Sequence, residues 1–230
     1  MTDVLIDLRA FSEALPQEHG KLKKAIRRWI DLHSAHSDLS LAHDYIQDAL
    51  RLHRTKRAGL QYATLALQQS AVVIYARALE RKSDHRGQVR VTGGFTGLQL
   101  EFHRKLVALR DNSVAHFGPE GSSKPWSQDF VFLLVKGVVY RPTASSRRSL
   151  FDKKFAEQML AHFLVAAGLV AKQSQDWQLK LADRLNEAIN DDEIFKLLQN
   201  HKISPEVFGE AAQLILNPTG SGRATKIIPD

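Results

Sequence analysis

Between Arg110 and His116 the chain reads Arg110-Asp111-Asn112-Ser113-Val114-Ala115-His116, a permanent cation, two short polar side chains and a titratable imidazole in one short run. These are the groups that phosphodiester chemistry needs. Arginine offers a planar fork of donors to phosphate oxygens and keeps its charge at any physiological pH, while histidine gives or takes a proton near neutrality. On a straight helix, residues six apart stand about 120° apart around the axis. A single copy of this helix therefore does not easily bring Arg110 and His116 onto one phosphate. As residue types alone, the pair also fits a solvated arginine and a helix-terminal core histidine beside the Leu98, Phe102 and Leu109 stripe.

The helix that must carry these residues follows a segment holding Gly87, Gly93, Gly94 and Gly97, and Thr96 with Gln99 forms a capping-box pair at its start. Leu98, Phe102, Leu106 and Leu109 recur on one side, with His103, Val107, Arg110 and Val114 on another that is available to a partner subunit. Phe117-Gly118-Pro119 ends it. The glycine segment lacks the spacing and the lysine of a P-loop.

Helical spacing dominates the remainder. Val4, Leu8, Phe11 and Leu15 stop at Pro16, Leu22, Ile26, Trp29 and Ile30 form a second stripe, and Ser37 to Ser40 reads as a break before a third helix with Ala42, Tyr45, Ile46 and Ala49. Residues 59–82 are apolar nearly all round, the pattern of a central helix that should be the most buried element. Phe130 to Val135 and Val138 to Tyr140 read as two strands joined by Lys136-Gly137. From Leu150 to about Asn190 a long helical region carries Phe155, Met159, Phe163, Ala166 and Val170, with Gly168 or Ser174-Gln175 as candidate kinks. Asn190-Asp191-Asp192 then punctuates the chain, and a further helix opens at Ser204-Pro205-Glu206.

Composition bounds what the motif belongs to. The 230 residues are 43% apolar, enough for a substantial core, and no cysteine is present, which excludes disulfides and a cysteine nucleophile and suits a reducing compartment. The start is acidic and helically patterned, unlike a signal peptide, and no run approaches the length of apolar residues that a membrane span needs. A cytoplasmic location without membrane association is the expectation. The formal charge of +7 is grouped: Lys21 to Arg28, then Arg51, Arg54, Lys56 and Arg57, then Arg77, Arg81, Lys82, Arg86, Arg90, Arg104 and Lys105 around the approach to the motif. Each group alone is the solvated, cation-enriched end of a helix; together they favour a polyanionic partner. His33, His36 and His43 come without an HExxH or a carboxylate at a matching offset, so neither a metal site nor another cofactor is expected.

The order Arg110-Asp111 followed by Ala115-His116 resembles the arginine-polar-x(3 to 5)-histidine signature of the HEPN superfamily, most closely its abortive-infection branch. The likeness covers roughly residues 40–190. It implies an all-α helical bundle, HEPN-like over 37–190, and is compatible with the β-hairpin near 130–141; it does not account for the N-terminal helices over 1–36 that pack on the bundle, the helical appendage over 191–216 or the tail over 217–230, which periodicity and composition give. It also implies a metal-independent ribonuclease of a toxin or phage-defence type, with an antitoxin protein as a further partner. Arg110 would hold the scissile phosphate, His116 would act as general base or acid, and Asp111 or Asn112 would orient them, while His103, Arg104 and Lys105 would contact RNA. The alternatives are an inactive HEPN-like scaffold that binds RNA or protein, and a helical interaction module with no nucleic-acid role.

Both the resemblance and the 120° offset on one helix call for a two-fold homodimer that pools two copies of Arg110 and His116 in one cleft. Light scattering at micromolar concentration should give twice the 25.9 kDa chain mass; a monomer under those conditions counts against a shared site.

Overall fold

Apolar residues recurring every three or four positions over many turns make three long helices the frame of this protein. The computed structural model describes residues 5–57, 59–80, 87–111, 127–136, 139–148 and 151–208, the two strand segments 127–136 and 139–148 by their backbone. Among these the order is β1 (Leu5–Ile6), α1 (Leu8–Ala14), α2 (Gly20–Arg54), α3 (Leu60–Leu79), α4 (Gly97–Leu109), β2 (Ser127–Lys136), β3 (Val139–Arg148), α5 (Lys153–Ala188), α6 (Asp192–Gln199) and β4 (Lys202–Ile203). The fold is all-α with a small β-hairpin and extra helices toward both ends.

Two compact units divide the chain, residues 1–28 with 177–230 and residues 29–176. The divisions fall inside α2 and α5, whereas the periodicity suggested boundaries after residues 36 and 190. In the first unit β1 pairs antiparallel with β4, Leu5 opposite Ile203, and the Asp7 N–H donates to His201 O at 2.9 Å. Helix α1 thus begins at Leu8, later than the Val4 stripe suggested, because the Asp7 carboxylate accepts from the Arg9 and Ala10 amides and caps it. Phe11, Leu22, Ile26, Leu181 and Ile194 are buried in this unit. Asp191 caps α6 in the same way, so the acidic punctuation is a helix start. The sequence beyond Phe208, including the rest of the expected appendage and the tail, lies outside the described residues.

In the second unit the break expected at Ser37 to Ser40 does not occur. Leu32, Ala35, Leu39, Ala42, Ile46 and Ala49 form one buried stripe through it, while Ser37 and Ser40 fall on the exposed side and the Ser37 hydroxyl donates to His33 O at 3.1 Å. Helix α3 is buried on one face only. Ala71, Val72, Tyr75, Ala76 and Leu79 are inside but Tyr62 and Val73 are exposed, so the nearly continuous apolar run overstated its burial. Arg77 grips Asp38 through two guanidinium nitrogens, at 3.0 and 2.5 Å, and joins α3 to α2. Helix α5 is capped by Asp152, whose carboxylate accepts from the Phe155 amide at 3.0 Å, and passes Gly168 and Ser174 without interruption. It is long and apolar enough by composition to pass for a membrane span, yet Phe155, Met159, Phe163, Ala166 and Val170 are buried within the unit.

Strands β2 and β3 pair antiparallel from Ser127 opposite Arg148 to Lys136 opposite Val139. The hairpin is therefore longer than apolar alternation indicated, and Lys136 belongs to a strand. The second strand was foreshortened because Pro142 and the polar run after it do not look like a strand; a two-stranded ribbon tolerates both, since each of its strands is an edge. Residues 137–138 lie outside the described set, as do Ala58 and the part of the glycine segment over 81–86.

The segment entering α4 is part of the core. Val89 and Val91 are buried, the Gly87 N–H donates to Asp31 at 3.1 Å, and Gln173 donates to Arg90 O at 3.0 Å. A Cβ on Gly94 would stand 2.8 Å from Leu169 Cδ2, so only glycine lets this turn approach α5 without displacement. The opposite choice occurs after α2, where Lys56 adopts φ 51°, in the left-handed region that glycine occupies more readily. Gly94→Ala should lower the unfolding free energy by about 1 kcal/mol through overpacking, and Lys56→Gly should raise it by about 0.5–1 kcal/mol. Chemical denaturation of the two variants should show these opposite signs.

Candidate functional site

Helix α4 starts with a complete capping box: the Gln99 amide donates to Thr96 Oγ1 and the Thr96 amide to Gln99 Oε1. Its rotational setting differs from the leucine stripe. Leu98 is 81% exposed, whereas His103, Leu106 and Leu109 are buried. The helix is turned so that His103, from the side assigned to a partner subunit, faces inward.

That setting is fixed by a chain of polar contacts across three helices. The Tyr75 hydroxyl of α3 lies 2.7 Å from His103 Nδ1 on α4 and 2.8 Å from His162 Nε2 on α5, and His103 Nε2 lies 3.0 Å from Glu80 Oε1. With Glu80 ionised and both rings neutral, one proton arrangement satisfies every contact. His103 Nε2–H donates to the carboxylate, the Tyr75 hydroxyl donates to His103 Nδ1, and His162 Nε2–H donates to the Tyr75 oxygen. His103 and His162 are 4% and 5% exposed, and Phe95, Phe102 and Phe163 pack around the group. Burial, reinforced by the neighbouring His103, lowers the His162 pKa to about 4, and burial followed by the Glu80 charge pushes the Tyr75 phenol above its ordinary value.

Glu80 and His103 line one wall of an open cleft of about 510 Å³, with Arg104, Val107 and Asp111 on the α4 side. Of the residues expected to touch RNA, Arg104 and Lys105 are exposed, and Lys105 Nζ also stands 5.1 Å above the Phe155 ring. His103 belongs with the buried chain and not with that pair, since both of its ring nitrogens are engaged within the protein.

Arg110 follows the last residue of α4, and its N–H still bonds back to Leu106 O and Val107 O. Its side chain is only 12% exposed and places Nη2 at 2.8 Å from Asp111 Oδ1. Its Nε–H, also buried, has no acceptor among the described residues. Asp111 thus contacts Arg110 and lines the cleft. Asn112 and His116, with the expected helix end at Phe117-Gly118-Pro119, lie outside the described residues.

Tyr75, Glu80 and His162 did not stand out in the sequence. Their one signal is polarity inside apolar stripes: Tyr75 between Val72 and Leu79, and His162 next to Phe163 and one turn from Met159. Elsewhere, His36 has its pKa lowered, first by burial and then by His33, and no group of three or more metal-ligating side chains is brought together among the described residues. Compared with protein-family models, curated proteins and solved structures, the chain matches none.

Because the folded protein depresses the His162 pKa from 6.5 to about 4, the unfolded chain binds the extra proton first as pH falls. The stability contribution is complete above about pH 6.5 and is lost on descending toward pH 4, on the order of 3 kcal/mol across the window. Urea unfolding of the wild type and His162→Leu between pH 7 and pH 4 should show a shallower loss in the variant; parallel curves would exclude His162 as the titrating group.

Proposed function

We propose that this chain is a metal-independent endoribonuclease acting at a composite site formed by two copies. The observation that supports it most is Arg110, a guanidinium held largely out of solvent and braced by Asp111, which lines an open cleft, with one buried N–H that meets no acceptor among the described residues. An unpaired buried donor costs about 1–3 kcal/mol, and a phosphate oxygen is an acceptor that would relieve it. Arg104 and Lys105 lie one to two turns back along the same helix and add the charge that draws in a polyanion.

In this reading Arg110 holds the scissile phosphate and offsets the charge that grows on its oxygens. His116 takes the proton of the neighbouring ribose 2′-hydroxyl as that oxygen attacks phosphorus, and a protonated His116, that of the second copy in the shared site, returns a proton to the departing 5′-oxygen. The products are a 2′,3′-cyclic phosphate and a 5′-hydroxyl. Asp111 orients the arginine, and Asn112, four residues before His116 in the sequence, is the candidate to orient the imidazole. The toxin or phage-defence setting, with an antitoxin partner, rests on the resemblance of residues 110–116 alone.

Arg110→Ala and His116→Ala should each reduce cleavage of a labelled RNA by about a hundred- to ten-thousand-fold with unchanged helix content by circular dichroism, and excess EDTA should leave the wild type active. Cleavage at the wild-type rate in His116→Ala, or its loss with chelator, replaces this reading with that of a non-catalytic scaffold.

A further inference from the structure

A second basic concavity lies in the same unit, built from the end of α2, the connection to α3 and the first residue of α5. It measures about 520 Å³ and is lined by His53, Arg54, Lys56, Arg57, Thr64 and Lys153 among others. Its chemistry differs from that of the cleft beside α4. No carboxylate lines it, and among the described residues Arg54, Lys56 and Arg57 form no ion pair, although Arg51 one turn earlier pairs with Asp48 at 3.2 Å and Lys153 stands 3.5 Å from Glu157. Three cations around one hollow repel one another. A bound polyanion removes that repulsion.

Lys56 lines the hollow from a left-handed turn with φ 51°. One further observation says what kind of polyanion fits. His53 presents an exposed ring at the rim, supported from behind by Phe151 with centroids 4.9 Å apart and planes tilted by 44°. An acidic peptide uses the charges but has no use for a braced aromatic face. A single-stranded nucleic acid uses both, its phosphates on the cations and a base stacked on the ring.

We infer that this hollow is a binding site for single-stranded nucleic acid, separate from the end of α4. It grips the phosphate backbone through Arg54, Lys56, Arg57 and Lys153 and stacks one base on His53. The contacts read charge and a π-face, so the site is tolerant of sequence. It is independent of strand cleavage, and a protein with no ribonuclease activity would still have it.

The test uses fluorescein-labelled oligo(dT) of about twelve nucleotides, which lacks the 2′-hydroxyl and is inert to the cleavage proposed above, titrated by fluorescence anisotropy against the full chain at several salt concentrations. Arg54→Gln/Arg57→Gln should weaken binding at least tenfold and flatten the salt slope by about 1.4, two phosphate contacts at about 0.7 each. His53→Ala should weaken it about fivefold or more. Lys56→Gly should weaken it about threefold while its thermal midpoint stays at or above that of the wild type, which keeps the test independent of misfolding. Because oligo(dT) is not a substrate for the proposed cleavage, its binding is read whether or not RNA is cut, so a failed cleavage assay and a failed binding assay remain distinguishable. The inference is overturned by absence of binding at low salt, by an unchanged affinity and slope in the double variant, or by loss of binding in Arg104→Gln/Lys105→Gln alone. Competition by poly-glutamate at equal charge, together with an unaltered His53→Ala, overturns it in favour of an acidic protein partner.

Discussion

A single hydroxyl, that of Tyr75, ties together the three helices on which everything else in the larger unit depends. It sits between His103 Nδ1 and His162 Nε2, and through His103 the connection reaches Glu80 at the cleft. Apolar packing alone leaves a helix some freedom to rotate, because one leucine can replace another at the contact. A buried hydrogen bond has no such tolerance: a turn that separates the partners leaves two imidazole nitrogens and a phenol without partners, at about 1–3 kcal/mol each. The setting of α4, and with it the direction in which Arg104, Arg110 and Asp111 project, follows from that constraint.

The same group is held without charge where the three helices meet. With each ring neutral every donor meets an acceptor, whereas a proton added to His162 must be buried beside a second imidazole and among phenyl rings. Glu80 is the one anionic member and lies at the cleft wall, where solvent reaches it. Desolvation and charge are thus sorted along the chain, neutral groups inward and the carboxylate outward.

Cations are distributed by a different rule. Some are consumed in structure, as Arg77 is by Asp38 and Arg51 by Asp48, and Lys105 lies over Phe155. Others gather at the concavity beside the end of α2, while Arg104 alone among the cations lines the one beside α4. Helix C-termini attract positive side chains through their exposed carbonyls, which explains cations near both places. It does not explain the hollow between them or a lysine held at positive φ.

Residue order by itself determined the helical class, the capping box at Thr96, the presence of a hairpin and the motif at Arg110, because each is written in near neighbours: a side chain three residues from an amide, an apolar residue every turn, two strands with a turn between them. Tertiary structure alone decided the rest. The serines of Ser37 to Ser40 signalled a break until Leu32, Ala35 and Leu39 were seen to bury the other face of the same helix. Leucine spacing on α4 pointed Leu98 inward, yet a histidine took the inner position, since its partners Tyr75 and Glu80 lie 28 and 23 residues away by sequence number. Periodicity records that a helix has an inner face, but a polar residue on that face is legible only when its partner is known, and hydrogen-bond partners that distant leave no local pattern.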